Sequence, residues 1–246
     1  MSLRSLPMSL TLPAVLIALV ACGDRSTPEA ETASIEYPRE VLQAHMQDHF
    51  YRATEMQLAV INGDLEGLRE PAVWMAEHAS SAAMPEEWRL HATVTHAAAR
   101  NAATAEDLEI AAVATAVMAN ECGNCHLDLG AEVGFAVESA PPEGEGAKPH
   151  MRRHAWASGR MWEGLIAPSG VVWDGGAEVL AEAPLAPAEL SADIEILAEV
   201  SEMEEAVHTL GAEAVGITLP DERARVYGEF LATCADCHEK TGRGRI

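Results

Sequence analysis

An internal repeat limits this chain to folds that can be built from two similar halves. A His-Met-x-x-His segment occurs at residues 45–49 and again at residues 150–154, an offset of 105 residues. A Cys-x-x-Cys-His segment occurs at residues 122–126 and again at residues 234–238, an offset of 112 residues. The second half therefore contains a net insertion of seven residues, which the alignment predicts between the second and third helices or at the start of the third.

Each Cys-x-x-Cys-His segment is the attachment motif of a c-type haem. Two thiols at this spacing add to the two vinyl groups on one edge of the porphyrin. The histidine that follows then offers its imidazole to the iron. We therefore predict two covalently bound haem c groups, held by Cys122, Cys125 and His126 in the first half and by Cys234, Cys237 and His238 in the second.

Two other interpretations of the four cysteines are open at this point. A four-cysteine zinc site would normally have a much shorter gap between its pairs, and it would not explain a histidine after each pair. A thioredoxin-like dithiol should lie near a βαβ pattern, and the sequence has none. The haem interpretation is preferred because it accounts for both histidines.

The N-terminus resembles the signal of a bacterial lipoprotein. Arg4 precedes an apolar stretch of 13 residues at 8–20, which is too short to span a bilayer comfortably. The stretch ends in Leu-Val-Ala-Cys, so we predict cleavage before Cys22 and attachment of a lipid to its sulfur. An ordinary signal peptide followed by a cysteine without a special role is the alternative. The five cysteines then divide into one for the lipid and two for each haem, which leaves none for a disulfide.

Changes in composition divide the chain into segments. A polar tether follows the signal, and an acidic stretch rich in Gly, Pro and Glu separates the two halves. The predicted organisation is a signal peptide (1–21), a tether (22–36), a first haem domain (37–128), a linker (129–147), a second haem domain (148–241) and a tail (242–246).

The low aromatic content, 4%, and the many alanines favour packed helices over a β-sandwich. Turn and capping signals predict four helices in the first half. Thr104 is the predicted cap of the last helix, whose core-facing seam includes Thr115 with its hydroxyl bonded back to the preceding turn. The predicted bounds are Pro38 to Ile61, Leu65 to His78, from after Pro85 to near Asn101, and from after Thr104 to near Leu127.

Four short-looped helices with a haem motif near the end of the last one resemble the cytochrome c′ and cytochrome c-556 family of four-helix-bundle cytochromes. The resemblance covers each half separately. It implies an all-α fold of two tandem up-down-up-down bundles, each holding one haem among its helices near one end.

Histidines on the first helix of each half are candidates for the second axial ligand of the iron. In an antiparallel bundle the start of the first helix lies beside the end of the last, close to the expected haem. His49 and His154 are our predicted sixth ligands, because each lies well inside its helix. The resembled family has a methionine or no ligand at this place, so the chain departs from its pattern. An open site is an alternative, as are four other residues: His45, His150, Met46 and Met151.

Other histidines and several arginines have weaker predicted roles. His96 and His208 are duplicated, but the helix rise places them about 20 Å from the iron, so we expect them to be structural. His78 has no counterpart in the second half, so we expect it to have no shared role. Three arginines either pair with haem propionates or are solvated: Arg152, Arg153 and Arg160.

The sequence predicts a membrane-anchored electron carrier with two low-spin, bis-histidine haems, and not an enzyme. The alternatives are a gas-binding or sensing protein with an open distal site, a peroxidase-like enzyme, and a cytochrome subunit of a larger membrane redox complex. A net charge of −23 argues against nucleic acid and favours a redox partner with a basic docking face. We expect the protein to be exported and lipid-anchored to a bacterial membrane, at its periplasmic or cell-surface face.

Overall fold

The computed structural model describes residues 39–78, 86–136, 138–190 and 195–242. The predicted signal peptide, the tether with Cys22, and most of the tail lie outside these ranges, as do Pro38 and Pro85. In the described part of the chain the only regular elements are helices, which confirms the all-α class. They are α1 (Arg39–Ile61), α2 (Leu65–Glu77), α3 (Glu86–Ala103), α4 (Leu108–Asp128), α5 (Ala147–Ile166), α6 (Gly170–Leu180), α7 (Pro187–Leu190), α8 (Leu197–Ala214) and α9 (Pro220–Thr241).

The second half has one helix more than the first. Helices α1 to α4 correspond to α5, α6, α8 and α9, and the short helix α7 has no counterpart among the described residues of the first half. It lies between the second and third helices, one of the two places predicted for the insertion. None of the described helices is long and apolar enough to cross a membrane.

Helix α4 begins three residues later than the sequence predicted, and its cap is a different residue. The Asp107 carboxylate accepts a hydrogen bond of 2.8 Å from the backbone N–H of Ile110. A carboxylate at this position also interacts favourably with the positive end of the helix dipole. Thr104, the predicted cap, instead donates its hydroxyl to the carbonyl oxygen of Arg100 and completes the last turn of α3.

The core-facing seam predicted for α4 is buried over most of its length. Thr115 is fully buried, and its hydroxyl donates to the carbonyl oxygen of Ala111 at 2.8 Å, as predicted. The corresponding seam of α9 is also buried at Ala224, Tyr227 and Leu231. Both seams end at the Cys-x-x-Cys-His segments. The cysteines and histidines of these segments are less buried than the seams, whereas the spacer residues Gly123 and Ala235 are buried.

The two halves pack against each other through α4 and α9, the most extensive contact between any two helices. The pair is antiparallel. The Asn120 side chain donates to Asp221 at the start of α9, and Gly228 faces Val113 further back along α4. The described residues form one compact unit. The predicted linker packs against this unit, because Phe135 lies against the ring of Phe50 with 5.1 Å between the ring centroids.

A buried polar contact joins α1 of the first half to α5 and α9 of the second. The Tyr227 hydroxyl donates to the carbonyl oxygen of Ser158 at 2.9 Å and accepts a hydrogen bond from the Gln57 amide at 2.5 Å. All three residues are at most 3% exposed. Burial also raises the pKa of Tyr227 well above its usual range, so the hydroxyl keeps its proton.

Replacing Tyr227 with phenylalanine is expected to lower the free energy of unfolding by about 1–3 kcal/mol, because the buried Gln57 amide and the Ser158 carbonyl each lose a hydrogen bond to the hydroxyl. Urea unfolding followed by circular dichroism measures the change. Tyr51→Phe is the matched control, since this side chain is exposed and should change stability by less than about 0.5 kcal/mol. Equal losses in the two variants would contradict the buried contact.

Candidate haem-binding sites

Each Cys-x-x-Cys-His segment lies in the last turns of the final helix of its half. His126 Nδ1 is 2.7 Å from the carbonyl oxygen of Ile166, and His238 Nδ1 is 2.6 Å from the carbonyl oxygen of Ile61. A carbonyl can only accept, so Nδ1 must carry the proton in both rings. Nε2 is therefore the nitrogen that can bind iron. A hydrogen bond of this kind from the second ring nitrogen is a regular feature of metal-binding histidines.

The carbonyl that orients each histidine belongs to the opposite half of the chain. Ile166 ends α5 of the second half and accepts from the first motif, whereas Ile61 ends α1 of the first half and accepts from the second motif. Both carbonyls are available because the last carbonyls of a helix have no partner within it. Each half thus completes the motif of the other, which the sequence analysis did not predict.

The end of α5 lies directly on the first motif. A Cβ atom at Gly123 would lie 2.2 Å from the carbonyl oxygen of Leu165, which is a backbone atom and cannot rotate away. At the corresponding position of the second motif the chain has Ala235, fully buried near Gly63. The first motif therefore requires a glycine where the second tolerates a methyl group.

Gly123→Ala is expected to destabilise the protein by about 1–3 kcal/mol, because α5 must move to admit the added methyl group. The same movement should weaken the hydrogen bond from His126 to Ile166. Thermal unfolding measures the loss of stability. Gly159→Ala in α5 is the control. Its Cβ meets no atom within 4 Å, so better helix propensity should leave stability unchanged or raise it by up to about 1 kcal/mol.

The thiols of the two motifs do not resemble a reactive dithiol. Burial raises the pKa of Cys122 to about 12 and that of Cys125 to about 11, and it raises the pKa of Cys234 further still. Thioredoxin-like chemistry needs the opposite shift, because the thiolate is the nucleophile. The thioredoxin interpretation is therefore not favoured by the surroundings of these cysteines.

The two cysteine pairs are also too far apart to share one metal ion. Cys122 lies two residues from Asn120, which contacts Asp221 at the start of α9. Cys234 lies 13 residues further along α9, about 20 Å away at the rise of an α-helix. Since a zinc–sulfur bond is about 2.3 Å long, a four-cysteine zinc site does not fit this geometry.

A first histidine cluster contains His45, His49 and His78, with Trp74 packed beside it. The ring centroids of His49 and His45 are 4.2 Å apart, and those of His49 and His78 are 5.1 Å apart. The His49 Nε2 atom is buried and has no hydrogen-bond partner. Burial, and then the neighbouring His45, His78 and His96, lower the pKa of His49 to about 3, which keeps the ring neutral.

A second cluster contains His150, His154, Glu204 and His208. The His154 Nε2 atom, like that of His49, is buried without a hydrogen-bond partner. Burial and then the charge of His150 lower the pKa of His154 to about 3. His238 also contributes to lowering this pKa, and Glu204 contributes to raising that of Cys234. The second cluster therefore lies close enough to the second motif for their charges to interact.

One expectation about the histidines was wrong. His208 was expected about 20 Å from the iron, but its ring lies 5.0 Å from that of His154. It lies well inside α8, which continues six residues beyond it to Ala214, so it is level with the middle of α5. His78, which has no counterpart in the second half, lies in the first cluster because α2 ends there. In each half the candidate ligands form a pair on one helix face, His45 with His49 and His150 with His154.

Two of the three arginines make ion pairs within the protein. Arg153 pairs with Glu182, and Arg160 pairs with Glu163 at 2.5 Å and also donates to the carbonyl oxygen of Ala136.

Comparison with protein-family models, with curated proteins and with solved structures gave no match.

Proposed function

We propose that this protein is a dihaem c-type cytochrome that carries electrons through two low-spin haems, each with a histidine on both sides of its iron. One observation carries the proposal: the buried Nε2 atoms of His49 and His154 both lack a hydrogen-bond partner. Leaving a buried polar atom unpaired costs about 1–3 kcal/mol, so such atoms are rare. These two occupy corresponding positions of the repeat, which favours a shared role as ligands.

The surroundings of these histidines suit metal ligation. Both rings are neutral at physiological pH because burial lowers their pKa to about 3, so no proton competes for Nε2. On the opposite side of each iron, the proposed ligands are His126 and His238, whose Nδ1 protons are held by backbone carbonyls. The chemistry of these four rings therefore suits a haem held between two imidazoles, and in the second half the charge of His238 also acts on His154.

When bound, the haem supplies the Fe(III)/Fe(II) couple. His49 with His126 and His154 with His238 would hold the two irons, which would leave no place for an external ligand and would favour electron transfer over gas binding or catalysis. Two imidazoles give a lower potential than an imidazole with a methionine. Two haem sites joined by α4 and α9 would form a short relay within one compact unit.

The partners follow from charge and from the N-terminal sequence. A net charge of −23 would attract a redox partner with a basic docking face, and this attraction should weaken as salt is added. The same charge disfavours nucleic acid. A lipid on Cys22 would keep the carrier at a bacterial membrane, on its periplasmic or cell-surface face.

The test is the absorption spectrum of the reduced holoprotein with and without CO, after the haem content has been measured from the pyridine complex. We expect two haems per chain and sharp low-spin bands that CO does not change. A spectrum shifted by CO at either haem would contradict bis-histidine ligation there. It would support instead the gas-binding alternative, in which one distal site is open.

A further inference from the structure

Apart from His154, the second cluster offers three possible ligand atoms, one each from His150, Glu204 and His208, which form a triangle. Nε2 of His150 lies 2.6 Å from Oε1 of Glu204, and Nε2 of His208 lies 3.1 Å from the same oxygen. The two Nε2 atoms are 3.3 Å apart. All three side chains are between 5% and 12% exposed. Two imidazoles from different helices therefore point at one buried carboxylate oxygen and at each other.

Two of the three distances, 3.3 Å between the imidazole nitrogens and 3.1 Å from His208 to Glu204, agree with the spacing of ligands around a metal ion. The 2.6 Å between His150 and Glu204 is a hydrogen-bond distance that would lengthen when a metal binds. Zinc bonds histidine nitrogen at about 2.0–2.1 Å, and tetrahedral geometry then places neighbouring ligand atoms about 3.3 Å apart. Hydrogen bonds to Glu204 account for only two sides of the triangle. If both Nε2 atoms donate to Glu204, neither has a lone pair left to accept from the other, so no hydrogen bond forms across the 3.3 Å between them.

The chemistry of the cluster also suits a cation. The Glu204 carboxylate is 5% exposed and lies within 3.1 Å of both imidazole Nε2 atoms, so it offers an anionic oxygen ligand beside two nitrogen ligands. The backbone N–H of Leu185 donates to the same carboxylate at 3.1 Å and fixes its orientation.

We propose that His150, Glu204 and His208 bind one divalent transition-metal ion, with Zn²⁺ as the reference ion, beside the haem site of the second half. Two imidazoles and one carboxylate favour zinc and its first-row neighbours over magnesium or calcium. The proposal rests on the proposed function only in assigning His154 to the haem iron. The three remaining ligands leave a fourth position for water.

The first half offers an internal comparison. The repeat places Ala92 where the second half has Glu204, so the first cluster has no carboxylate at this position. Its three histidines also come within reach of one another, but each is only half-buried. A site with three neutral ligands should hold a divalent ion more weakly than one with an anionic ligand.

The experiment is equilibrium dialysis of the chelator-treated holoprotein against Zn²⁺ alone, with zinc measured by mass spectrometry per pair of haems. We expect one tightly bound Zn²⁺ in the wild type and at least a tenfold loss of affinity in Glu204→Gln. Glu205→Gln is the matched control, because it removes the charge of an exposed neighbour on the same helix. Zinc binding that is absent, or equal in wild type and Glu204→Gln, would overturn the proposal.

Glu204→Asp guards against a folding defect, since it keeps the charge but withdraws the carboxylate by one methylene group. It should weaken Zn²⁺ binding while leaving the helical circular dichroism unchanged, and unchanged affinity would count against the site. The CO test on the same samples separates the two proposals. CO binding would contradict the haem ligation alone, whereas the zinc stoichiometry decides the metal site alone.

Discussion

Under the proposed bis-histidine ligation, His154→Ala is expected to turn one of the two proposed haems from low-spin to high-spin and to open its iron to CO. The variant removes the only Nε2 atom of the second cluster that is buried without a hydrogen-bond partner. Alanine leaves a space beside the iron that water or CO can enter. Half of the low-spin absorbance should therefore be lost, and half of the haem should respond to CO in the reduced spectrum.

His49→Ala should have the same effect on the other haem, and the double variant should convert both. The controls are His45→Ala and His150→Ala, which remove a ring from the same helix face one turn away. Their haems should remain low-spin. If His150→Ala produced high-spin haem and His154→Ala did not, the ligand of the second half would be His150, one of the alternatives considered from the sequence.

The helices could be predicted because their signals are local. The end of α1 at Ile61 is predicted by the Asn-Gly-Asp that follows it, and the seam of α4 by its three- and four-residue spacing. The pairing of His45 with His49 follows from their separation of four residues on one helix. The start of α4 was predicted wrongly because Thr104 and Asp107 are both good caps, and only the structure shows which one is used.

The hydrogen bond from each motif histidine to a carbonyl of the opposite half could not be predicted, because helix periodicity does not determine which helices pack together. A duplicated pattern is compatible with two separate bundles and with two halves that share a core. The contacts of Ile61 with the second motif and of Ile166 with the first are therefore visible only in the structure. Gln57 was one available signal, since a polar residue beside the apolar seam of α1 needs a partner from elsewhere.

Acid is expected to destabilise the folded protein between pH 6.5 and pH 5, before ordinary carboxylates titrate. The pKa of His49 and that of His154 are both lowered from 6.5 to about 3 by burial first and by neighbouring histidines second. Below pH 6.5 the unfolded chain therefore binds protons that the folded chain does not. The free energy of unfolding is at its full value above pH 6.5 and falls as the pH approaches 3.

The size of the effect follows from linkage. At pH 5 each histidine should lower the free energy of unfolding by about 2 kcal/mol, or about 4 kcal/mol for the pair. Burial also lowers the pKa of His45 and His96, which adds to the loss in the same direction. Ligation to iron would not reverse the sign, because a metal and a proton compete for the same nitrogen.

Urea unfolding at a series of pH values between 8 and 4.5 measures this dependence. The curve should be flat above pH 7 and steep between pH 6.5 and 5. The control is the His49→Gln/His154→Gln double variant, since glutamine has no proton to gain in this range. Its stability should be lower at pH 8 but should change less with pH. If the double variant kept the wild-type slope, protonation of other groups would account for the acid sensitivity, and His49 and His154 would not be the buried neutral bases described here.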